Sequence, residues 1–161
     1  EWIRCLMVRL FRSFGLVLLL SVGGLSSNSL QASTDLIQEK INSITQEAKM
    51  ECGDSFELDE TAVTLEDLDL DGKIDLGVLN EAGYSCPEFG SYYCGSGGCS
   101  IHLVTADGYL RGTAQGWEII TTQYGKKVIL MSLHGSSCDQ PGTTTCYKAI
   151  SISKDKFVYQ K

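Results

Sequence analysis

Residues 33–50 carry apolar side chains at the spacing of one helix face. Ile37, Ile41, Ile44 and Ala48 follow one another at intervals of three or four residues. In an α-helix this spacing places them on the same side, while the polar residues between them face outward. The pattern therefore predicts one amphipathic helix near the N-terminus of the globular part.

Both ends of this helix carry their own signals. Asp35 is a suitable N-cap, and Gln38 can reach back to it from three residues further on. Gly53 follows the last periodic position and suits a C-terminal stop, because glycine tolerates a left-handed backbone.

After Asp54 the pattern changes to short β-rich runs separated by turn residues about every ten positions, which is typical of antiparallel sheets. The predicted fold class is therefore α+β, a single domain over 33–161 with the helix packed on an antiparallel, meander-like β-sheet of about six strands. Strands are expected near 61–65, 74–80, 100–105, 109–113, 117–122, 127–134, 146–152 and 156–160. The segments 85–98 and 136–145 are predicted as long loops held by disulfides.

Some of these runs allow more specific predictions. Asp107-Gly108 supplies the positive φ angles of a two-residue type I′ turn and should join a hairpin, whereas the turns at 124–126 and 154–156 are weaker signals. The run 128–133 is almost continuously apolar, which favours a central strand covered on both faces, with the helix as one candidate cover. Ile101 and Leu103 should share one strand face while His102 points to the other.

Residues 1–32 have the pattern of a secretory signal peptide. Arg4, Arg9 and Arg12 precede an apolar run at 14–25. That run spans about a dozen residues, whereas a membrane-crossing helix needs about 20, so cleavage is favoured over anchoring. The expected cleavage site follows Ala32, with a site after Ser29 as the alternative.

The charge balance excludes one class of partner. The formal net charge is −7, and removal of residues 1–32, which hold three Arg and one Glu, would leave about −9. Nucleic-acid backbones are bound by clustered Lys and Arg, and no basic stripe follows Arg12. Nucleic acid is therefore not expected as a partner, and a membrane is expected only if the N-terminal segment stays uncleaved.

The cysteines indicate the compartment. Of seven cysteines, only Cys5 lies in the N-terminal segment. An even number of the remainder behind an export signal favours three disulfides formed in an oxidising compartment, either periplasmic or extracellular. Six cysteines permit about 15 connectivities. Pairing of cysteines close in sequence is expected: Cys94 with Cys99, Cys138 with Cys146, and Cys52 with Cys86.

The segment 67–75 (DLDLDGKID) is the strongest functional signal. Asp67, Asp69 and Asp71 occupy positions 1, 3 and 5 of a loop, the Lys73 backbone carbonyl position 7, and Asp75 position 9. Carboxylates at alternate positions let a short loop wrap oxygen ligands around one hard cation. Oxygen-only ligands select calcium over zinc or copper. The sequence therefore predicts a calcium site with these five residues as ligands.

Neighbouring positions define the type of loop. Gly72 at position 6 allows the sharp turn, but position 12 is Val78 rather than Glu, so the bidentate ligand of a full EF-hand is missing. Four Asp within nine residues repel one another without a cation, so the loop should be ordered when filled and partly disordered when empty.

The stretch DLDLDGKIDLGVL resembles the calcium loops of FG-GAP and VCBS repeats and, more distantly, the EF-hand-like loops of dockerins. This resemblance implies the same ligand positions, Asp67, Asp69, Asp71, Lys73 and Asp75. The tandem repeats and helix pairs of those families are absent from this sequence, so their adhesive functions are not implied.

Three segments follow one another in this chain: the acidic loop, then CGSGGC at 94–99, then LHGSSC at 133–138. This arrangement is similar to that of small uncharacterised exported proteins of Gram-negative bacteria, chiefly alphaproteobacteria. That wider resemblance implies compartment and architecture, without an activity.

Two cysteine-containing groups have both a functional and a structural interpretation. CGSGGC at 94–99 could be a metal knuckle or a redox pair, but its four-residue spacing favours a small disulfide loop. His134 and Cys138, with His102 as a second imidazole, suggest a nucleophile and a base, but no residue orients them, and a structural histidine is favoured.

Aromatic and acidic residues give two further interpretations. An aromatic platform for a sugar or peptide could form, although packing beneath the loop is the more common outcome. Its members would be Phe89, Tyr92, Tyr93 and Trp117. A negative patch near the metal loop is interpreted as a solvated face. It consists of Glu57, Asp59, Glu60 and Glu66.

These observations favour an exported, calcium-stabilised binding domain without enzymatic activity, whose ligand is a protein or an envelope component. The alternatives are a periplasmic hydrolase-like enzyme that uses His134 or the acidic patch, and a membrane-tethered accessory subunit.

Overall fold

The computed structural model of the protein describes residues 27–88 and 93–159. The predicted signal peptide lies outside these residues except for its last part, 27–32, which belongs to a helix. No helix among the described residues is long and apolar enough to cross a membrane.

The helix, α1 (Ser27–Cys52), is followed by a short 3-10 turn at Gly53–Ser55. It begins at Ser27 rather than near residue 33, because no Pro or Gly interrupts residues 27–32. Asp35 therefore lies inside α1, and the prediction that it caps the helix is wrong. Gly53 has φ +77° and ends the helix as predicted.

Within residues 27–88 and 93–159, all eight predicted strands are present, together with three short ones. The additional strands lie at 57–58, 84–85 and 94–95. The last of these lies within the segment predicted as a loop. The strands are β1 (Glu57–Leu58), β2 (Val63–Glu66), β3 (Leu76–Asn80), β4 (Tyr84–Ser85), β5 (Cys94–Gly95), β6 (Gly98–Val104), β7 (Tyr109–Ala114), β8 (Gly116–Thr121), β9 (Lys127–His134), β10 (Thr145–Ser153) and β11 (Lys156–Tyr159).

The strands form two main sheets rather than one meander. A five-stranded sheet runs β2-β3-β6-β5, with β7 also paired to β6, and a four-stranded sheet runs β11-β10-β9-β8; β1 and β4 pair separately. The chain changes sheets at Gln115, whose N–H donates to Ser132 O on β9 at 2.8 Å. All pairings are antiparallel, which together with α1 confirms the α+β class.

The five-stranded sheet is the middle of three layers. Its inner face packs on the four-stranded sheet through residues such as Val78, Leu103 and Ile129. Its outer face packs on α1 through Leu79 and Val104. Burying both faces explains why β3 is apolar at almost every position.

Strand β9 is central in its sheet but is not covered by the helix. Ile129, Met131 and Leu133 point into the core between the sheets, while Leu130 and Ser132 alternate with them and are half-buried. The predicted helix cover is therefore wrong, because α1 packs on the other sheet.

The type I′ geometry occurs in the β10–β11 turn rather than in the β6–β7 turn, where it was predicted. Lys154 and Asp155 have φ of 50° and 58°, the pattern of a type I′ turn, between β10 and β11. The β6–β7 hairpin exists, but neither Asp107 nor Gly108 has a positive φ, so the type I′ prediction is wrong there. Gly108 is required by close packing instead, since a Cβ there would lie 2.5 Å from Asp155 O.

Thr105 joins all three layers. Its buried hydroxyl accepts from Gly108 N–H and donates to Asp155 O on the other sheet, both at 2.7 Å. Its carbonyl accepts from Lys40 Nζ of α1 at 3.0 Å. No local sequence pattern singles out this residue, because its partners come from distant parts of the chain.

The three predicted disulfides are confirmed. They join Cys52 with Cys86, Cys94 with Cys99, and Cys138 with Cys146. Three disulfides indicate an oxidising, non-cytoplasmic compartment.

Candidate metal centre

The acidic loop connects β2 to β3, the counterparts of the first two predicted strands, and its base is fixed to the sheets. Asp75 N–H donates to Glu66 O at 2.9 Å, which closes the loop. Lys127 Nζ, from β9 of the other sheet, donates to Asp67 O at 2.9 Å and lies 3.3 Å from Glu66 Oε2. At the side facing α1, Ser33 Oγ donates to Ile74 O at 3.2 Å.

Asp67 organises the interior of the loop. One of its carboxylate oxygens accepts from Leu70 N–H at 2.6 Å and the other from Gly72 N–H at 2.8 Å. The chain curls around this carboxylate because Leu70 and Gly72 have φ of 65° and 89°. Glycine meets this need without strain, which explains Gly72 at position 6.

Asp69 and Asp71 hold local turns of the same kind. Asp69 Oδ1 accepts from Asp71 N–H at 3.1 Å, and Asp71 Oδ1 accepts from Lys73 N–H at 2.9 Å. Carboxylate oxygens of Asp67, Asp69 and Asp71 lie within 4.8 Å of one another. The structure thus brings together three of the five predicted ligand residues.

Asp75 lies beside this cluster rather than in it. It is half-buried, and its Oδ2 accepts from Leu68 N–H at 2.8 Å. Burial, together with the negative charges of Asp69 and Asp67, raises the pKa of Asp75 above its usual 3.8. Burial and the two neighbouring negative charges therefore both disfavour the charged form of Asp75.

Lys73 contributes a feature that the sequence analysis missed. Its ammonium lies 3.0 Å from Asp71 Oδ2, and both side chains are 41% exposed. Hydrogen bonds from Lys73 lower the pKa of Asp71, and the same contact raises the pKa of Lys73. The i, i+2 spacing of the two residues is a signal that could have revealed this ion pair.

The donor set fits a hard cation of calcium size. Calcium takes oxygen ligands at about 2.3–2.6 Å, so oxygens on opposite sides of one ion lie about 5 Å apart. The 4.8 Å limit on the three carboxylates is compatible with that span. The backbone hydrogen bonds occupy only part of the lone pairs of each carboxylate.

A groove of about 880 Å³ runs beside the loop. Asp69 and Asp75 line it from the acidic loop, while Lys126 and Lys154 line it from turns of the four-stranded sheet. The groove therefore places both signs of charge at one end of the molecule.

A buried polar network that the sequence analysis missed lies on the helix side of the five-stranded sheet. Glu81 and His102 are 5% and 2% exposed, and His102 Nε2 lies 2.6 Å from Glu81 Oε1. The other imidazole nitrogen lies 2.8 Å from the hydroxyl of Tyr109, and an Arg111 nitrogen lies 3.6 Å from Glu81 Oε1. His102 does point away from Ile101 and Leu103, as predicted.

Burial raises the pKa of Glu81, but the hydrogen bonds from His102 and Ser100 and the charge of Arg111 outweigh it, so its pKa lies below the usual 4.5. The network therefore holds a carboxylate in its charged form in the interior. Sequence patterns do not reveal it, since Glu81 and His102 are 21 residues apart and meet only through the pairing of β3 with β6.

His134 and Cys138 do not form a nucleophile and base. The sulfur of Cys138 is bonded to Cys146. The His134 ring lies against Gly142, and its Nδ1 lies 2.8 Å from Ser136 Oγ. Within the described part of the chain, no carboxylate is hydrogen-bonded to His134.

The described aromatic residues do not form one platform. Tyr93 packs edge-on against Tyr84 and donates to Ala48 O at 3.3 Å, on the helix side. Trp117 packs against the core between the sheets. Phe89 and Tyr92 lie outside the described residues.

No protein-family model matches the chain, and neither a curated protein nor a solved structure matches it.

Proposed function

We propose that this protein is an exported, non-enzymatic binding domain whose β2–β3 connection is stabilised by one calcium ion. The observation that carries the metal part of the proposal is the convergence of the Asp67, Asp69 and Asp71 carboxylates within 4.8 Å in one loop. Asp75 and the carbonyl of Lys73 are the additional proposed ligands.

Calcium in this loop would relieve an electrostatic conflict. Burial is the main cause of the raised pKa of Asp75, and repulsion by Asp69 and Asp67 adds to it. A divalent cation replaces that repulsion with attraction and favours the folded loop over open conformations. The ammonium of Lys73 partly neutralises the same cluster, so it competes with the ion for Asp71.

Export is supported by the three disulfides and by the signal-peptide pattern of residues 1–32. The proposed destination is the periplasm or the cell exterior, where disulfides persist.

The proposed binding face is the groove beside the loop, because the loop forms one of its walls. The partner is a protein or an envelope component that presents charged groups of both signs to Asp69 and to Lys126 or Lys154. A metal that orders the loop would also order this wall, so partner binding should depend on calcium.

Calcium titration of the disulfide-bonded protein tests the metal site. At a free calcium concentration 100 times the Kd, ligand linkage stabilises the folded state by about 2.7 kcal/mol, which raises Tm by about 5–10 °C for a domain of this size. A double Asp67→Asn, Asp69→Asn variant should lose the shift, while Asp107→Asn, an exposed aspartate outside the loop, should keep it. An equal Tm with calcium and with chelator contradicts the proposal.

The variant Lys73→Ala separates the two roles of that residue. It keeps the backbone carbonyl and removes the ammonium that contacts Asp71. Calcium affinity should therefore rise, because the ion no longer competes with a bound cation. A loss of calcium binding would show that the side chain supports the site.

Capture of partners from envelope extract, with calcium or with chelator, tests the binding role. A charge-reversed groove, Lys126→Glu with Lys154→Glu, should retain the calcium-dependent Tm shift and lose the partner. A partner captured equally by this variant would place the binding face elsewhere.

A further inference from the structure

A second cavity, of about 180 Å³, lies between the two sheets and shares no lining residue with the groove beside the acidic loop. Its lining comes mainly from apolar side chains of both sheets. They include Ile101, Leu103, Leu110, Met131, Leu133 and Ile150.

The cavity has an identifiable origin in Gly112 on β7. Leu110, Gly112 and Ala114 alternate toward the core, so Gly112 occupies an inward-facing position without a side chain. A Cβ added there would meet only the terminal methyl of Met131, at 3.8 Å. The space that a larger side chain would fill is therefore left open.

The mouth of the cavity carries a positive charge. Lys148 on β10 lies on the same strand face as Ile150, opposite Met131 in register, and it lines the cavity although it is exposed. Among the described residues, no carboxylate forms an ion pair with Lys148. Tyr159, which is 55% exposed, also lines the cavity and lies opposite Ile150 on the neighbouring strand β11.

Arg111 also lines the cavity but is already engaged, since one of its nitrogens lies 3.6 Å from Glu81 Oε1 and 3.3 Å from Ser100 Oγ. Lys148 forms no ion pair with a described carboxylate, so its charge is the one left unbalanced at this mouth.

We propose that this cavity binds a small amphipathic carboxylate, with an apolar tail of about six carbons between the sheets and its carboxylate on the ammonium of Lys148. A cavity of about 150 Å³ accepts a benzene-sized molecule, so a space of about 180 Å³ has room for a short hydrocarbon tail. An unpaired ammonium at the rim of an apolar space complements an anion with a hydrocarbon tail.

This site goes beyond the proposed binding function, because it shares no lining residue with the groove beside the acidic loop. The metal loop is not needed for it. Ligand affinity should be the same with calcium and with chelator.

Titration calorimetry of the full disulfide-bonded chain with hexanoate, hexanol and acetate tests the proposal. Hexanoate should bind with 1:1 stoichiometry. Acetate, which lacks the tail, should bind at least about tenfold more weakly, because each buried methylene adds about a fourfold factor. Hexanol should bind about two- to fivefold more weakly, the range expected of a solvent-exposed ion pair. Absence of hexanoate binding overturns the inference, whereas the calcium-dependent Tm shift would be unaffected.

Two variants locate the ligand. Gly112→Val fills the open position and should reduce hexanoate affinity more than tenfold while keeping the fold, as circular dichroism would check. If that variant does not fold, Gly112→Ala serves instead and should give a smaller loss. Unchanged affinity in a folded filled variant overturns the cavity assignment.

Lys148→Met should lower hexanoate affinity two- to fivefold and leave hexanol affinity unchanged. The matched control is Lys156→Met, since Lys156 is an exposed lysine on β11 that does not line the cavity. Equal losses in both variants, or hexanol binding more tightly than hexanoate, would overturn the assignment of the carboxylate to Lys148.

Discussion

Individual side chains decide the electrostatics of this protein. Asp67 uses both carboxylate oxygens to shape the acidic loop, and Lys73 supplies a cation within it. On the helix side of the middle sheet, Glu81 stays charged because His102 and Arg111 lie next to its carboxylate. The Lys73–Asp71 ion pair in the loop is exposed, so solvent screens its charges. The His102–Glu81 pair is buried, where the attraction between charges is stronger, so it should contribute more to stability.

Glu81→Gln should destabilise the protein by about 1.5–3 kcal/mol at pH 7, the range for a hydrogen bond to a charged group. The folded-state pKa of Glu81 is lowered, so its contribution is present above the unfolded value and is lost as pH falls through the folded value. Denaturant unfolding at pH 7 and in acid measures this effect. The difference in the free energy of unfolding between wild type and Glu81→Gln should become smaller as pH falls.

The exposed Glu57→Gln is the control and should change stability little at either pH. If the difference in the free energy of unfolding between wild type and Glu81→Gln stays constant between pH 7 and acid, the assignment of a charged, stabilising Glu81 is contradicted.

At the scale of elements, the helix and the middle sheet meet closely at one glycine. A Cβ on Gly77 of β3 would lie 2.6 Å from both Ile37 Cγ2 and Ile41 Cδ1. The absent side chain lets α1 approach the sheet, and this contact positions the helix whose Ser33 touches the acidic loop.

Gly77→Ala should therefore destabilise the protein by about 1–3 kcal/mol through overpacking. Ile41→Val removes the Cδ1 methyl and should recover part of that loss in the double variant. Gly95→Ala is the control, because no atom lies within 4 Å of its added Cβ. Urea unfolding of wild type, the Gly77→Ala and Ile41→Val single variants and the double variant measures the coupling, with Gly95→Ala run beside them. Additive effects of Gly77→Ala and Ile41→Val would contradict the contact.

At the scale of the whole molecule, three disulfides cross-link elements of the fold, and they differ in how much of the chain each one closes. The bridge from Cys52 to Cys86 spans 34 positions and joins the end of α1 to the segment after β4, while the bridge from Cys94 to Cys99 spans five. Loop-closure entropy grows with the length of the closed loop, so these bridges should differ in their effect.

Removing the Cys52–Cys86 bridge by a double Ala variant should cost about 4 kcal/mol, and removing Cys94–Cys99 in the same way about 2 kcal/mol. Chemical unfolding of both variants in the presence of calcium measures the difference. A larger loss for the Cys94–Cys99 variant would contradict the entropic explanation.

The elements and the outline of the acidic loop followed from local pattern. The Ile37–Ile41 spacing located the helix, alternation located the strands, and the Asp spacing placed three carboxylates that do converge. The start of α1 and the type of the β6–β7 turn were wrong, because helix extension and the packing of Gly108 against Asp155 are not written in the local residue types.

The sequence by itself determined what depends on neighbours along the chain: the helix periodicity, the strand alternation and the aspartates of residues 67–75. Only the tertiary structure decided the division into two sheets, the Glu81–His102 pair, the layer-joining role of Thr105 and the cavity at Gly112. The reason is physical. Local patterns fix which face a side chain occupies, whereas contacts between residues distant in sequence depend on which strands pair and which sheet faces the helix.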